Sequence, residues 1–426
     1  MHDNENVLII GSGGREHALG WKISQNEHIQ KIFYANGNGG TDNNLPILPT
    51  EFEKLIDFAK DNNCFTVVGP ELPLSLGIVD IFESNSLKIF GPTKLASEIE
   101  TSKEFSKNFM TKFAIPTSEY KVFTDASKAE EFIEKIDFNV VVKADGLAAG
   151  KGVFVTNSKS EAINTIDLLL KKKIFGKACE KIIVEKRIVG NEASIIAICD
   201  GNSFKLLDPC RDYKRAFDND LGPNTGGMGS HSPVSDITEN EIEFIVDKVF
   251  NPAIKGMNSE GRPFKGFLYA GLMIEKHTGK PYVLEFNARM GDPECQPLMM
   301  RMESDLLQYL EAGVNQSLDD VKPIEWKKKF STCVIMTSKG YPDKYETGYA
   351  IKGITNLFDP DLMIFHSGTK RTNDDELVTS GGRVLGITSL GESLDDSINK
   401  AYQTVNNISW GDCQQQFRKD IGKNVT

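Results

Sequence analysis

The sequence predicts an α/β protein with an open parallel sheet at its N-terminus, an α+β body and a small mixed α/β unit at its C-terminus. Three observations lead there. The first ~100 residues alternate short apolar runs with amphipathic stretches. Beyond Gly190 the pattern becomes strand-rich, and after residue 330 strands are mixed with one late helix. At 426 residues the chain is also too long for one compact core, and length alone suggests about three domains.

Residues 7–10 (VLII) form the first strand, running into a Gly-rich turn and the helix-like REHALGWKI. Residues 31–35, 65–69 and 87–91 supply later strands, with FEKLIDFAKDN and the segment around 78–83 as intervening helices. That rhythm predicts a parallel sheet covered on both faces, with ligands beyond the strand carboxyl ends. A helix follows over 103–113 and stops before Pro116, because the residue preceding a proline disfavours helix. A smaller unit then reads as strand NVVVKADG, turn LAAGKG, strand VFVT, helix SEAINTIDLLLKK and strand KIIVEKRI. Past Gly190 come strands EASIIAICDG and FKLLD, a polar Gly-rich loop, a long helix near 239–257, and strands FLYAGLMIEK and YVLEFNARM. Strands STCVIMTSK, MIFHSGTK and GRVLGIT, with helix SLDDSINKAYQTV, complete the chain.

Composition excludes several classes of function. The hydrophobic share of 39% and charged share of 26% are those of an ordinary globular protein. No apolar run approaches the ~20 residues needed to cross a bilayer. The opening MHDNENV lacks the basic-then-apolar order of a signal peptide, so a cytoplasmic location is expected. With 49 Lys+Arg against 60 Asp+Glu, the formal charge of −11 argues against nucleic-acid binding. Small anions are still accessible, since a few local cations and helix N-termini can hold a phosphate. Seven dispersed cysteines without a CxxC pair, and six unclustered histidines, argue against a disulfide framework and a zinc site.

Four segments carry chemistry. GSGGREH opens a helix directly after a strand, so the backbone around Gly11, Gly13 and Gly14 can approach an anion, with Arg15 adding charge. A dinucleotide fold is disfavoured: Glu16 stands at the third glycine of G-x-G-x-x-G, and Asn36 follows the second strand where an acid is needed. A purely structural turn and a different phosphate site both stay open. In VVVKADGLAAGKGV, Lys143 lies in an apolar strand, where a lysine is costly to bury unless an anion meets it. The following loop, with Gly146, Gly150, Lys151 and Gly152, reads as a flap but not as a Walker A loop; a hairpin with solvated lysines is the alternative.

The third segment is YVLEFNARMGDPE. Strict alternation puts Glu285, Asn287 and Arg289 on one face and Leu284, Phe286 and Ala288 on the other. Two oxygen ligands beside a guanidinium suit Mg²⁺ and the phosphates it bridges, whereas the bland reading is a strand with one polar face. The fourth, RDYKRAFDNDLGPNTGGMG, joins Asp212 and Lys214 to a loop containing Asn224, Thr225, Gly226 and Gly227, expected to be mobile and to bind substrate.

Taken in order, GSGGREHALGWK, VVGPELPL, KIFGPT, TSKEFSK, VKADGLAAGKGV, GPNTGGMG, GFLYAGLMI, EFNARMGDPE and TSGGRVL resemble the ATP-grasp superfamily and, within it, the glycinamide ribonucleotide synthetase family. The resemblance spans nearly the whole chain. It implies a pre-ATP-grasp domain at 1–102, an ATP-grasp lid region at 103–190 with its flap around 120–190, a central ATP-grasp domain at 191–326 and a C-terminal domain at 327–426. It also implies ATP as cosubstrate, Mg²⁺ or Mn²⁺ as the metal, and glycine and 5-phosphoribosylamine as substrates of a monomer or small homo-oligomer.

By position, Lys103 and Lys143 are expected on the ATP phosphates, beneath the 146–152 flap. Glu185 and the backbone near Ile188 fall by the adenine, and Glu192 by the ribose. Glu285 and Asn287 fall on the metal, and Arg289 on the transferring phosphoryl group. The 11–17 loop falls by the ribosyl phosphate, and Asp212, Lys214, the 222–229 loop and Asp292 by glycine and the sugar. Five residues depart from the expected pattern: Lys186 and Arg187 at the hinge, Asn191, Tyr213, and Met273, where many ATP-grasp relatives carry an acidic ligand. A biotin carboxylase-like ligase shares the lysines and the Glu-x-Asn-x-Arg strand but not GSGGREH with GPNTGGMG. A nicotinamide oxidoreductase lacks support in the first turn.

Overall fold

A computed structural model describes residues 5–147, 151–354 and 359–423. The N-terminal sheet is parallel throughout, in the order Asn44–Leu45, Ile29–Asn36, Glu5–Gly11, Cys64–Val68, Ile89–Phe90. Alternation along its central strand feeds two separate cores. Val7 and Ile9 pack with Leu19, Phe65 and Val67, while Leu8 and Ile10 pack with Leu55, Val68 and Phe82. The first core continues into Met299, Leu310 and Phe365, which binds this sheet to the rest of the molecule.

Two antiparallel four-stranded sheets form the body. One has the order Tyr120–Phe123, Ile182–Lys186, Val140–Ala144, Val153–Val155. Val140, Val142, Ala144, Ile182 and Val184 bury one face against helices Ala126–Lys135 and Lys159–Ile166. Val141, Lys143, Ile183 and Glu185, on the opposite face, line the main cavity. The other sheet runs Phe204–Leu206, Gly190–Asp200, Lys265–Glu275, Pro281–Asn287. Its covered face packs Ile195, Leu268, Val283 and Phe286 against helices Glu239–Ile245 and Asn251–Ser259.

The last sheet has the order Arg211–Asp212, Gly229–Ser232, Phe330–Ser338, Arg383–Gly391, Leu362–His366, covered by helix Leu394–Val405. Its first two strands come from mid-chain, so the sheet crosses the division expected at 326/327.

The structure corrects two local expectations and adds detail to a third. The 222–229 segment is not a free loop: Arg215–Phe217 pairs with Leu221–Asn224, Gly229–Ser232 is a strand, and the Thr225 hydroxyl donates to the Lys214 carbonyl at 2.8 Å. The long helix expected near 239–257 is present as one unbroken helical run, Glu239–Ile245, Val246–Phe250 and Asn251–Ser259, whose middle piece is a π-helical turn ahead of Pro252, which has no N–H to continue the α register. Strict alternation also fails on Pro281–Asn287. The pairing slips between Gly271 and Leu272, opposite Glu285 and Val283, leaving Leu284 as the extra residue. Such a bulge resets the side-chain alternation, so Val283 joins the core and Leu284 lines the cavity beside Glu285.

No helix among the described residues is long and apolar enough to cross a membrane. All seven cysteines are free, and only Cys413 is exposed.

Candidate active site

A cavity of about 1240 Å³ is lined by residues of the two antiparallel sheets, of the N-terminal Gly-rich turn and of the strand around Glu185. Its inner wall is built by neighbouring strands that each contribute alternate side chains. Lys143 reaches across from its own sheet to donate to the Leu284 carbonyl at 3.1 Å, on the bulge of the opposite sheet. It is also ion-paired with Glu185, whose other oxygen takes Lys107 at 2.5 Å. Burial alone would raise the Glu185 pKa; the two ammonium groups outweigh it and hold the carboxyl at about 2.

Lys103 begins helix Lys103–Lys112, whose N-cap Ser102 accepts from the Phe105 N–H. Among the described residues its ammonium has no hydrogen-bond or ion-pair partner, although it lines the cavity. Glu285 is likewise without a partner among the described residues. Burial pushes its pKa up, but Lys214, Lys143, Lys103 and Arg289 together hold it below the usual carboxylate range. An open anion and an open cation therefore face the same space. The Asn287 carboxamide oxygen accepts only a long bond, 3.4 Å, from Arg289.

Arg289 lies just past the strand end. Its Nη2 pairs with Glu100 at 3.0 Å and its Nε lies 3.6 Å from Glu71. Asp292 accepts from Arg383 at 2.8 Å and from Gln296 at 2.8 Å. Burial opposes its ionisation, yet Arg383 and Arg15 keep its pKa below the ordinary value. Lys214 pairs with Glu192 at 3.1 Å and lies 3.9 Å from Asp212. The Asp212 pKa is raised by burial, with Glu294, Glu192 and Glu285 adding to the rise and Lys214 opposing it.

The Gly-rich turn differs from an open anion nest. Glu16 folds back so that its carboxylate accepts the Gly13 N–H at 2.6 Å and the Arg15 Nε at 2.6 Å. A Cβ on Gly69 would fall 2.0 Å from a Glu16 oxygen, and one on Gly11 2.7 Å from its Cγ. These glycines make room for the Glu16 side chain, which occupies the place the third glycine of a dinucleotide turn would leave empty.

Most of the residues expected from sequence line this one cavity: Gly11, Gly13, Arg15, Glu16, Lys103, Lys143, Lys151, Gly152, Glu185, Ile188, Glu192, Asp212, Lys214, Asn224, Thr225, Gly226, Glu285, Asn287, Arg289 and Asp292. Gly14, Gly146 and Gly227 do not, and each has a packing reason. A Cβ would meet Gln296 at Gly14, Ala178 at Gly146 and Pro293 at Gly227, the last also at φ +112. Gly150 lies outside the described residues. At the departures, Arg187 donates to Asn157 at 2.8 Å, Asn191 to Asp236 at 3.0 Å, and Tyr213 packs in the C-terminal core.

Sequence reasoning missed Glu71, Glu100, Lys107, Glu294 and Arg383. Glu71 and Arg383 stand inside VVGPELPL and TSGGRVL, and Lys107 lies one helical turn beyond Lys103 on the same face, a signal that periodicity carries.

This fold and cavity define an ATP-grasp protein. The biotin carboxylase of Campylobacter jejuni, crystallised as an ATP-type complex, matches 97% of this chain and 93% of that one with a TM-score of 0.72, at 13% identity that shows the fold alone. Within that class the chain belongs to the phosphoribosylglycinamide synthetase family. Its N domain matches residues 5–100, its ATP-grasp (A) domain residues 101–295 and its C domain residues 331–424. The phosphoribosylamine–glycine ligase of Rhodopirellula baltica is 46% identical over 98% of this chain and 97% of its own length. That of Escherichia coli K12 is 43% identical over 98% and 97%. The crystal structure of the Thermotoga maritima ligase has a TM-score of 0.83 at 33% identity, covering 98% of this chain and all of that one.

Proposed function

We infer that this chain ligates glycine to 5-phosphoribosylamine at the expense of ATP, giving glycinamide ribonucleotide, ADP and phosphate. The observation that carries this reading is that all three domains of one ligase family match in order across the chain. The glycine carboxylate attacks the ATP γ-phosphorus to form glycyl phosphate and ADP. The amine of phosphoribosylamine then attacks the acyl carbon, expelling phosphate and losing a proton.

Little covalent work falls to the protein in such a phosphoryl transfer, so positioning and charge dominate. In this reading Lys103 and Lys143 hold the ATP phosphates, and Lys151 also lines their cavity. Val141, Val155, Ile183 and Leu284 offer an apolar slot for the adenine, next to Glu185 and the Ile188 backbone. Glu192 takes the ribose hydroxyls, and Arg289 neutralises the transferring phosphoryl group. Arg15 and the 11–17 turn take the ribosyl phosphate. Asp212, Lys214, residues 224–227 and Asp292 surround glycine and the sugar.

The donor set fits a hard divalent cation. Glu285 presents an unpartnered carboxylate and Asn287 a weakly engaged amide oxygen, while no cluster of three or more His, Cys, Asp or Glu exists among the described residues. Mg²⁺ or Mn²⁺ with few protein ligands takes its remaining positions from phosphate and water. When bound, the ion supplies neutralisation of the phosphate charge.

The test is ADP release with Mg·ATP and glycine, with and without phosphoribosylamine formed from ribose 5-phosphate and ammonia. Release that requires both substrates, with the product detected by mass, supports the reading. ATP-binding protein that makes no product with verified phosphoribosylamine overturns the substrates. Arg289→Ala is expected to lower turnover far more than ATP binding.

A further inference from the structure

Glu100 is 7% exposed and sits in the short helix Glu98–Thr101, two residues before the helix that presents Lys103. Its two carboxylate oxygens divide their work. Oε2 accepts the Ala288 N–H at 2.7 Å, and Oε1 pairs with Arg289 Nη2 at 3.0 Å. One carboxylate thus fixes both the main chain before Arg289 and one edge of its guanidinium. The rest of that guanidinium is held loosely: Nη1 reaches the Met290 carbonyl at 3.3 Å, and Nε has no hydrogen-bond partner, with Glu71 3.6 Å away. A guanidinium tied by one strong ion pair at Nη2 and weak contacts elsewhere takes its direction from that carboxylate.

We propose that Glu100 is a positioning residue for the ligation, fixing the Arg289 guanidinium in the orientation that meets the transferring phosphoryl group. The inference rests on the proposed role of Arg289. It explains why a carboxylate stands at a site that must bind polyphosphate: it is turned away from the anion by two bonds to the Ala288–Arg289 backbone and side chain. The cost of an acid near phosphate is offset by the orientation gained, since small misplacements of a charged group at the reacting centre lose much of the rate.

Glu100→Gln separates the two bonds, because the amide oxygen can still accept from Ala288 while the ion pair is lost. The kcat is expected to fall at least about tenfold with the KM for ATP within about twofold, the pattern of a group acting in the transition state. Glu100→Asp, which keeps the charge on a shorter arm, is expected to recover part of the rate. In a double-mutant cycle, Arg289→Ala with Glu100→Gln is expected to be no slower than Arg289→Ala alone. Wild-type kcat in Glu100→Gln, or losses that multiply fully in the double variant, overturns the proposal even where Arg289→Ala is slow. Wild-type turnover in Arg289→Ala overturns the role of Arg289, and this inference with it. A parallel fall in kcat, ATP affinity and thermal midpoint in both Glu100 variants reveals a structural role only and also overturns it.

Discussion

Arg383, on a strand of the C-terminal sheet, donates through Nη2 to the Asp292 carboxylate at 2.8 Å and through Nη1 to the Asp292 carbonyl at 2.5 Å. The same Nη1 also reaches the Gly226 carbonyl. A single guanidinium thus joins the C-terminal sheet, the turn after Arg289 and the GPNTGGMG segment at the cavity rim. Arg383→Ala leaves the Asp292 carboxylate, 11% exposed, without its main partner. Breaking such a pair costs about 3 kcal/mol, to be read from urea denaturation. Arg383→Lys is expected to recover only part of this, because an ammonium cannot reproduce the fork. Unchanged stability in Arg383→Ala removes this tie as a support of the cavity.

Glu185 neutralises Lys143 and Lys107 together, both nearly inaccessible at 5% and 3% exposure. Glu185→Gln buries two cations against a neutral amide, and a loss of about 3 kcal/mol at pH 7 is expected. Because the folded-state pKa is depressed from 4.5 to about 2, this stabilisation is present above pH 4.5 and is lost as pH falls toward 2. The gap between variant and wild type therefore narrows below pH 4.5. A gap that widens on acidification contradicts the assignment.

The Glu16 side chain needs the space beside Gly69. Gly69→Ala places a methyl group 2.0 Å from a Glu16 oxygen and 2.5 Å from its Cγ. Overpacking of this kind costs about 1–3 kcal/mol. It also disturbs Arg15, which Glu16 holds, so the KM for the ribosyl substrate is expected to rise while that for ATP stays near wild type. Equal effects on both constants refute this division of the cavity.

Glu285→Gln keeps the shape of the side chain and removes its charge. The Mg²⁺ concentration for half-maximal activity is expected to rise at least about tenfold, the cost of disturbing even groups that only orient a metal's ligands. A titration that superimposes on wild type assigns the cation elsewhere.

His17 links the first helix to the C-terminal sheet: its Nδ1 accepts the His366 N–H at 3.0 Å. Burial, with a smaller contribution from His366, lowers its pKa from 6.5 to about 3, so the folded protein holds it neutral. Below pH 6.5 the unfolded chain takes up the proton first, and stability falls as pH falls. His17→Asn retains an acceptor but has no proton to gain. Its stability deficit is expected to shrink by about 2 kcal/mol between pH 8 and pH 5. A deficit independent of pH shows that His17 is not held neutral.

Much of this protein is legible from sequence for a local reason. The parallel N-terminal sheet follows from apolar runs spaced by helices, and many cavity-lining positions sit in Gly-rich turns or at strand ends whose residue types are unusual for their context. Lys143 in an apolar strand and Glu285, Asn287 and Arg289 in a row are conspicuous because burying charge is expensive. The sequence by itself determined the class of the fold and picked out part of the charged set that lines the cavity.

What each of those side chains touches was decided only by tertiary structure. The bulge that swaps Val283 and Leu284 depends on the register with Gly271 and Leu272, which no local pattern encodes. The partners Glu100 and Arg289 are far apart in sequence, as are Arg383 and Asp292, and Glu185 and Lys107. Mid-chain strands Arg211–Asp212 and Gly229–Ser232 enter the last sheet because its edge is completed there. Periodicity reports which face of an element is buried; ion pairing between buried groups depends on distances between elements, and those are set by how the sheets pack.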